Sequence, residues 1–409
     1  MCTPQTQPID AFKGQAQEPA KPTIADIFRL HGNELSFVLP EQQKVIHDII
    51  ACRTAELGGH VLVCDHCGCA EISYNSCRNR HCPQCQSLAK AKWIMAREME
   101  LLPVPYFHVV FTFSDLLYPL ALQNKKVIYD ILFRASSETL KEVAANPKNL
   151  GAHIGFISIL HTWDQKLNHH PHIHCIVPGG GLAADKTEWI SSSENFFLSV
   201  KILSVVFRAK FLSYLEQAYK THKLVFYGAQ AGLSDLKAFK ELLVQSYAKN
   251  WVVYSKRPFA GPKQVLDYLG RYTHRVAISN NRIISLTEST VTFQWKDRKN
   301  GGAVKTMTLD AVEFMCRFLL HVLPHGFMKI RHYGFLGNPG KKKALDLCKE
   351  LIGGKDTNDE SKETPQTWQE LLFHLTGRDP TICPNCGKGH LVLFMELPAK
   401  SGPPMKKAG

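Results

Sequence analysis

Hydrophobic residues first gather into a strand-like run at Pro105-Tyr106-Phe107-His108-Val109-Val110-Phe111-Thr112-Phe113, which is β-branched, aromatic and bounded by prolines. Two further strands are predicted over 154–163 (IGFISILHTW) and 172–178 (HIHCIVP), the second ending at Gly179-Gly180-Gly181. Helical periodicity marks 23–56, 87–101, two stretches within 120–145, and 200–220. Another helix is predicted from Gly261-Pro262 onward, carrying YLGRYTHR. Beyond it VAIS, RIISL, TVTFQW and VKTMTL, separated by turn residues, predict a β-meander, and a helix at 309–323 precedes a basic stretch.

Strands and helices interleave without a regular βαβ rhythm, so the predicted class is α+β. Residues 1–22 are rich in Pro and Gln without periodicity and predict a disordered arm; 353–366 (GGKDTNDESKETPQ) predict a polar linker. The implied organisation is the arm, a helical and cysteine-rich unit at 23–101, a central unit at 102–279, a meander and basic helical region at 280–350, and a tail at 351–409.

The chain has 409 residues, and Lys+Arg of 49 against Asp+Glu of 36 gives a net charge of +13. Such an excess favours a polyanionic partner such as nucleic acid. No apolar run approaches the ~18 residues of a membrane span, and the start lacks a basic-then-apolar leader pattern. A cytoplasmic protein of bacterial, nucleoid-associated type, with no membrane partner, is the expectation.

Six of the 13 cysteines crowd between Cys64 and Cys85. Cys64-x2-Cys67 and Cys82-x2-Cys85 form two knuckles whose four thiolates are the natural tetrahedral set for one structural Zn²⁺. Cys52, His60, Cys77 and His81 offer a second, Cys2His2 set, and Cys383, Cys386 and His390 offer three ligands in the tail. Arg78 and Arg80 beside the cluster, and Lys296, Arg298, Lys329 and Arg331 further on, are candidate phosphate contacts, against the plainer reading of a solvated basic face.

His170-Pro171-His172-Ile173-His174 runs into the third strand, where alternation sets His172 and His174 on one face about 7 Å apart and able to share a metal ion. In Tyr268-Leu269-Gly270-Arg271-Tyr272-Thr273-His274-Arg275, helical geometry would stack the two tyrosines on one face about 40° apart, with Arg275 extending the stripe.

A strand bearing His-hydrophobe-His followed by YxxxYxxR resembles the HUH nucleases, with FTFSDLL at 111–117 as the upstream strand motif. From about residue 25 to 395 the chain resembles one branch of them, the transposases of insertion sequence family 91 and their common-region relatives. The matching stretches are NSCRNRHCPQCQ (75–86), HVVFTFSDLL (108–117), LHTWDQKLNHHPHIHCIVPGG (160–180), YLGRYTHRVAIS (268–279) and FLLHVLPHGFMKIRHYGFLGN (318–338).

The resemblance implies a central antiparallel-sheet HUH nuclease domain that nicks and rejoins single-stranded DNA. Its chemistry would be tyrosine attack on a phosphodiester, giving a 5′-phosphotyrosine and a free 3′-OH. Tyr268 and Tyr272 would be the nucleophiles, and Arg275 stands where related replication initiators usually carry lysine. His172 and His174 leave a metal under-coordinated. The preceding strand offers His161 as third ligand, with Asp164 or Gln165 in a shifted register. Ligand softness suggests zinc or manganese, whereas the resemblance implies Mg²⁺ or Mn²⁺. The expected partners are single strands and hairpin ends of the mobile element, and target DNA. Three other readings stand beside this one: a rolling-circle replication initiator, a non-catalytic zinc-containing DNA-binding regulator, and a hydrolytic metalloenzyme using His170, His172 and His174.

Overall fold

The structure is a computed structural model, and it describes residues 21–98, 100–256, 265, 270, 276–297, 300–337, 339–353 and 367–400. The expected N-terminal arm, the polar linker, Tyr268, Tyr272, Arg275 and Arg298 lie wholly or almost wholly outside the described residues.

The central sheet has five strands in the order β12-β4-β5-β3-β8. These are β3 (Tyr106–Thr112), β4 (Phe156–Trp163), β5 (His169–Pro178), β8 (Val252–Lys256) and β12 (Ile330–Tyr333), and every neighbouring pair is antiparallel. The class is therefore α+β, with antiparallel strands as expected. Side chains alternate between faces along each strand, so the register decides what each face carries.

On one face Phe107, Val109, Phe111, Phe156, Leu160, Ile173, Cys175 and Val177 are buried against α5 (Lys125–Ala145) and α6 (Val200–Lys220). Helices α5 and α6 are both 21 residues long and contribute Leu132, Phe133, Leu140, Phe207, Phe211 and Leu215 to this core. Trp251 closes it against Phe207 and Phe211 at ring-centroid distances of 5.4 and 5.1 Å. On the other face Ile157, Ile159 and Ile176 pack under Leu102, Val265, Leu336, Leu345 and Cys348. The same face also carries His108, His161, His172 and His174.

A second core lies between the chain's first helices and the meander. Helices α1 (Ile24–His31) and α2 (Pro40–Ala51) pack on β9 (Ile283–Leu286), β10 (Thr290–Asp297) and β11 (Ala303–Asp310), together with the helix Ala311–Leu319. Thr23 and Asp26 bond reciprocally at the start of α1, a capping box that satisfies otherwise unpaired amides. The meander has three strands rather than the four expected. VAIS (276–279) forms no strand, because Ala277 and Ile278 are buried as a plug in this core. The N-terminal helices and the meander region thus share one core.

The third sheet brings the two ends of the chain together. Its order is β13-β1-β2, with β1 (Gly59–Cys64), β2 (Ala70–Tyr74) and β13 (Leu391–Leu397) all antiparallel. Strand β13, from the Cys-x-x-Cys-containing tail, is thus an outer strand of the N-terminal cysteine module. Among the described residues no helix is long and apolar enough to cross a membrane.

Candidate metal centres and active site

Strands β4 and β5 form a hairpin in which His161 stands directly opposite His172 and Ile159 opposite His174. Antiparallel partners point to the same side, so three imidazoles converge on one face. Their candidate ligand nitrogens all lie within 4.8 Å of one another, a spacing that suits one shared cation. The rings sit edge to face, His161 to His174 at 4.6 Å and His172 to His174 at 4.7 Å between centroids. His172 Nδ1 donates to the His170 carbonyl at 2.6 Å, which leaves the Nε2 lone pair to point elsewhere.

A fourth imidazole joins them that sequence reasoning missed. His108 lies on β3 opposite Ile176, diagonal to His174, and its Nε2 is 2.8 Å from His174 Nδ1 with the rings stacked. If His174 ligates through Nε2, its Nδ1–H donates to His108, the orienting bond that metal-bound histidines commonly make. His108, Val110 and Thr112 face the same way as His172 and His174, which the register and not the sequence reveals.

The alternatives for the third ligand are occupied elsewhere. Asp164 caps the hairpin turn, accepting from Lys166 N at 2.8 Å, Asn168 N at 2.9 Å and Asn168 Nδ2 at 2.8 Å. Gln165 Oε1 accepts from Lys296 N. His170 turns to Tyr118, whose hydroxyl is 2.8 Å from Nδ1, so a His170-His172-His174 set is not assembled.

The cysteines gather into two sets of four, and the expected grouping does not form. Cys52, Cys77, Cys82 and Cys85 make one set, and Cys64, Cys67, Cys383 and Cys386 the other. The reason is the β1–β2 hairpin. Cys64 ends β1 at the hairpin's tip, about 17 Å of strand beyond Gly59. β2 then returns to pair Tyr74 with Gly59, which brings Cys77 back beside Cys52. Arg53 N bonds Asn75 O at 3.0 Å there. His60 and His81 therefore belong to neither set. His81 is instead half-buried, its titration pushed down to about 3 by desolvation. His390 is also outside, with Nδ1 3.0 Å from Thr381 Oγ1.

The candidate phosphate contacts divide. Arg78 and Lys296 are exposed. Arg80 donates to the carbonyls of Phe327 and Pro324, and Arg331 pairs with Asp130 and lies over the rings of Phe133 and Phe327. These two half-buried guanidiniums are bonded within the fold. Arg80, His81, His321 and Lys329 line a cavity of about 10 Å³, room for one water and far too little for a phosphate. Desolvation and the neighbouring Arg80 charge hold the Lys329 ammonium down at about 8.

An antiparallel sheet with clustered imidazoles, beside two tetrads of thiols, defines a metal-binding α+β protein. Comparison with known proteins carries this further. A family described as "Putative transposase" matches residues 155–343, and one described as "Transposase zinc-binding domain" matches residues 27–113. "Putative transposase y4qJ" of Sinorhizobium fredii is 48% identical over 387 residues, covering 94% of this chain and 97% of the relative. "Transposase for insertion sequence element IS801" of Pseudomonas savastanoi pv. phaseolicola is 27% identical over 356 residues, covering 84% and 81%. A conjugative relaxase solved with its origin DNA aligns over 40% of this chain and 68% of its own at 12% identity, with a TM-score of 0.22 that carries no argument about fold. The chain belongs to the transposases of insertion sequence family 91.

Proposed function

We propose that the chain cleaves and rejoins single-stranded DNA at the ends of its mobile element through a 5′-phosphotyrosine, as an HUH-type enzyme. The observation that carries this reading is the convergence of His161, His172 and His174 on one sheet face. Three imidazoles so placed can hold a divalent cation, Mg²⁺ or Mn²⁺ in this reading, which would polarise and orient a scissile phosphate oxygen.

Tyr268 and Tyr272 are the proposed nucleophiles. Val265 and Gly270, the described residues of their stretch, support this reading. Val265 is buried with Ile159 and Ile176 on the histidine side of the sheet, and a side chain at Gly270 would collide with Ile94 of the helix Gln86–Glu98. In the cleavage step the phenol loses its proton and its oxygen bonds to phosphorus. The 3′ oxygen leaves with the bond's electron pair and takes up a proton. A phenol with an ordinary pKa near ~10 needs nearby positive charge for this, and Arg275 offers one three positions past Tyr272.

A strand of DNA has a path across the same face. In cross-strand rows, Tyr254 pairs with Val110, which pairs with His174. Tyr254 is therefore about 10 Å from His174, two strand spacings away. It is exposed, as is Lys256 one row further, so a ring for base stacking and an ammonium for phosphate flank the histidines.

Incubating the protein with labelled single strands from its element ends, in Mg²⁺ or Mn²⁺, tests the reading. The wild type should nick them and His172→Ala/His174→Ala should not. Full nicking by that variant would overturn it.

A further inference from the structure

We propose that Cys64, Cys67, Cys383 and Cys386 hold a zinc ion of their own, distinct from any ion in the Cys52 set, and that this ion clasps the C-terminal tail to the N-terminal module. The matched zinc-binding domain spans residues 27–113 and so contains half of these ligands. The clasp joins cysteines more than 300 positions apart in the chain, Cys67 to Cys383 being a separation of 316.

The sulfur positions carry the argument. Tetrahedral zinc with bonds of about 2.3 Å sets its thiolates about 3.8 Å apart. Cys64 and Cys386 are 3.7 Å apart, and Cys67 and Cys383 are 3.8 Å apart. Those distances are far beyond the ~2.05 Å of a disulfide. Simple packing of thiols does not explain the cluster either, because Cys67 is exposed and Cys386 half-buried, so little apolar area is gained there.

The two knuckles are also built alike. Gly68 N bonds Cys64 O at 3.0 Å and Gly387 N bonds Cys383 O at 2.9 Å. Both glycines are left-handed, with φ of 70° and 65°, the conformation that turns the chain tightly after a Cys-x-x-Cys pair. Backbone amides point at sulfur in each: Cys67 N to Cys64 Sγ at 3.5 Å, and Gly389 N to Cys386 Sγ at 3.4 Å. Such donors stabilise thiolate charge around a metal. The knuckles are then tied to each other, His390 N donating to Asp65 Oδ1 at 2.8 Å and Asp65 N to His390 O at 3.0 Å. A Cβ at Gly389 would stand 2.6 Å from Cys64 Sγ, so the approach requires glycine.

The two sets differ in shelter. Each set has two buried cysteines, Cys52 and Cys82 in one and Cys64 and Cys383 in the other, but Cys67 of the clasp is exposed, whereas Cys77 and Cys85 are half-buried against the core formed by α1, α2 and the meander. A chelator should therefore remove the clasp ion first. Because metal ligation contributes directly to folding, its loss should free β13 from β1.

The test uses the full chain purified without chelator. Metal analysis should find two zinc ions per chain, and Cys383→Ser/Cys386→Ser should retain one. In the wild type, a thiol-competing chelator should release one ion in a fast phase, with faster amide exchange in Leu391–Leu397 and Gly59–Cys64 while α1 and α2 stay protected. One zinc in the wild type, two in the double variant, or exchange in β13 indifferent to the first ion's release would each overturn the proposal. If the variant fails to fold, the wild-type release experiment decides.

Discussion

The two faces of the central sheet are built from the same strands and do opposite things. On β5, Ile173, Cys175 and Val177 enter a closed apolar core, while His172 and His174, their immediate neighbours, meet other imidazoles. A strand reverses direction at every residue, so one segment can hold the protein together with its odd positions and carry chemistry with its even ones. Rigid packing on one side is what holds the imidazoles in fixed relation on the other. The lesson concerns precision: the histidines need no loop, because a buried antiparallel register already fixes where each one points.

The comparison is sharpest at three consecutive residues. His172→Ala or His174→Ala should eliminate single-strand nicking while thermal stability changes little. Ile173→Ala should do the reverse, costing about 2–5 kcal/mol of stability yet leaving activity per folded molecule near that of the wild type. Nicking assays paired with denaturant melts check both, and a variant of either kind losing the other property would blur the distinction between faces.

His108→Ala should have a smaller effect, weakening binding of Mn²⁺ by about 10–100-fold through loss of the bond that orients His174, with the fold intact. Titration of the cation against protein fluorescence or by calorimetry reads this out. Unchanged affinity would mean that His108 merely packs.

The apolar side makes its own prediction about pH. Burial holds His321 down at about 4 and His169 at about 3, from an ordinary 6.5. Unfolded chains bind these protons near pH 6.5 while the folded chain does not. Stability should therefore be level above about pH 6.5 and fall as the pH drops toward 4. A melting temperature flat from pH 6.5 to 4.5 would contradict this. The expected change is gradual, spread over the pH units below 6.5.

Much of the histidine site was legible because it is local. The β4–β5 hairpin spans Phe156 to Pro178, so alternation and a short turn suffice to set His161 on the face of His172 and His174, although the register pairs it with His172 and not with His174 as expected. His108 was harder: it belongs to a strand otherwise read as apolar, and only the pairing of Val110 with His174 reveals its side. The cysteines were grouped wrongly for the opposite reason. Spacing within 64–85 suggested one site, but a hairpin separates its halves and the true partners of Cys64 and Cys67 arrive from residues 383–386. No local period encodes an encounter across 316 residues. The partners of Arg80 and Arg331 were not legible, because charge in sequence does not reveal whether a carbonyl or Asp130 already holds it.

The most direct measurement joins the histidine face to covalent chemistry. Wild-type protein incubated with labelled single-stranded DNA from its element ends and Mn²⁺ should yield a covalent adduct, and peptide mapping should locate the 5′-phosphate on Tyr268 or Tyr272. Tyr268→Phe/Tyr272→Phe, which removes two hydroxyls and keeps ring volume, should yield none. An adduct persisting in that double variant, or mapping to any other residue, would contradict the account.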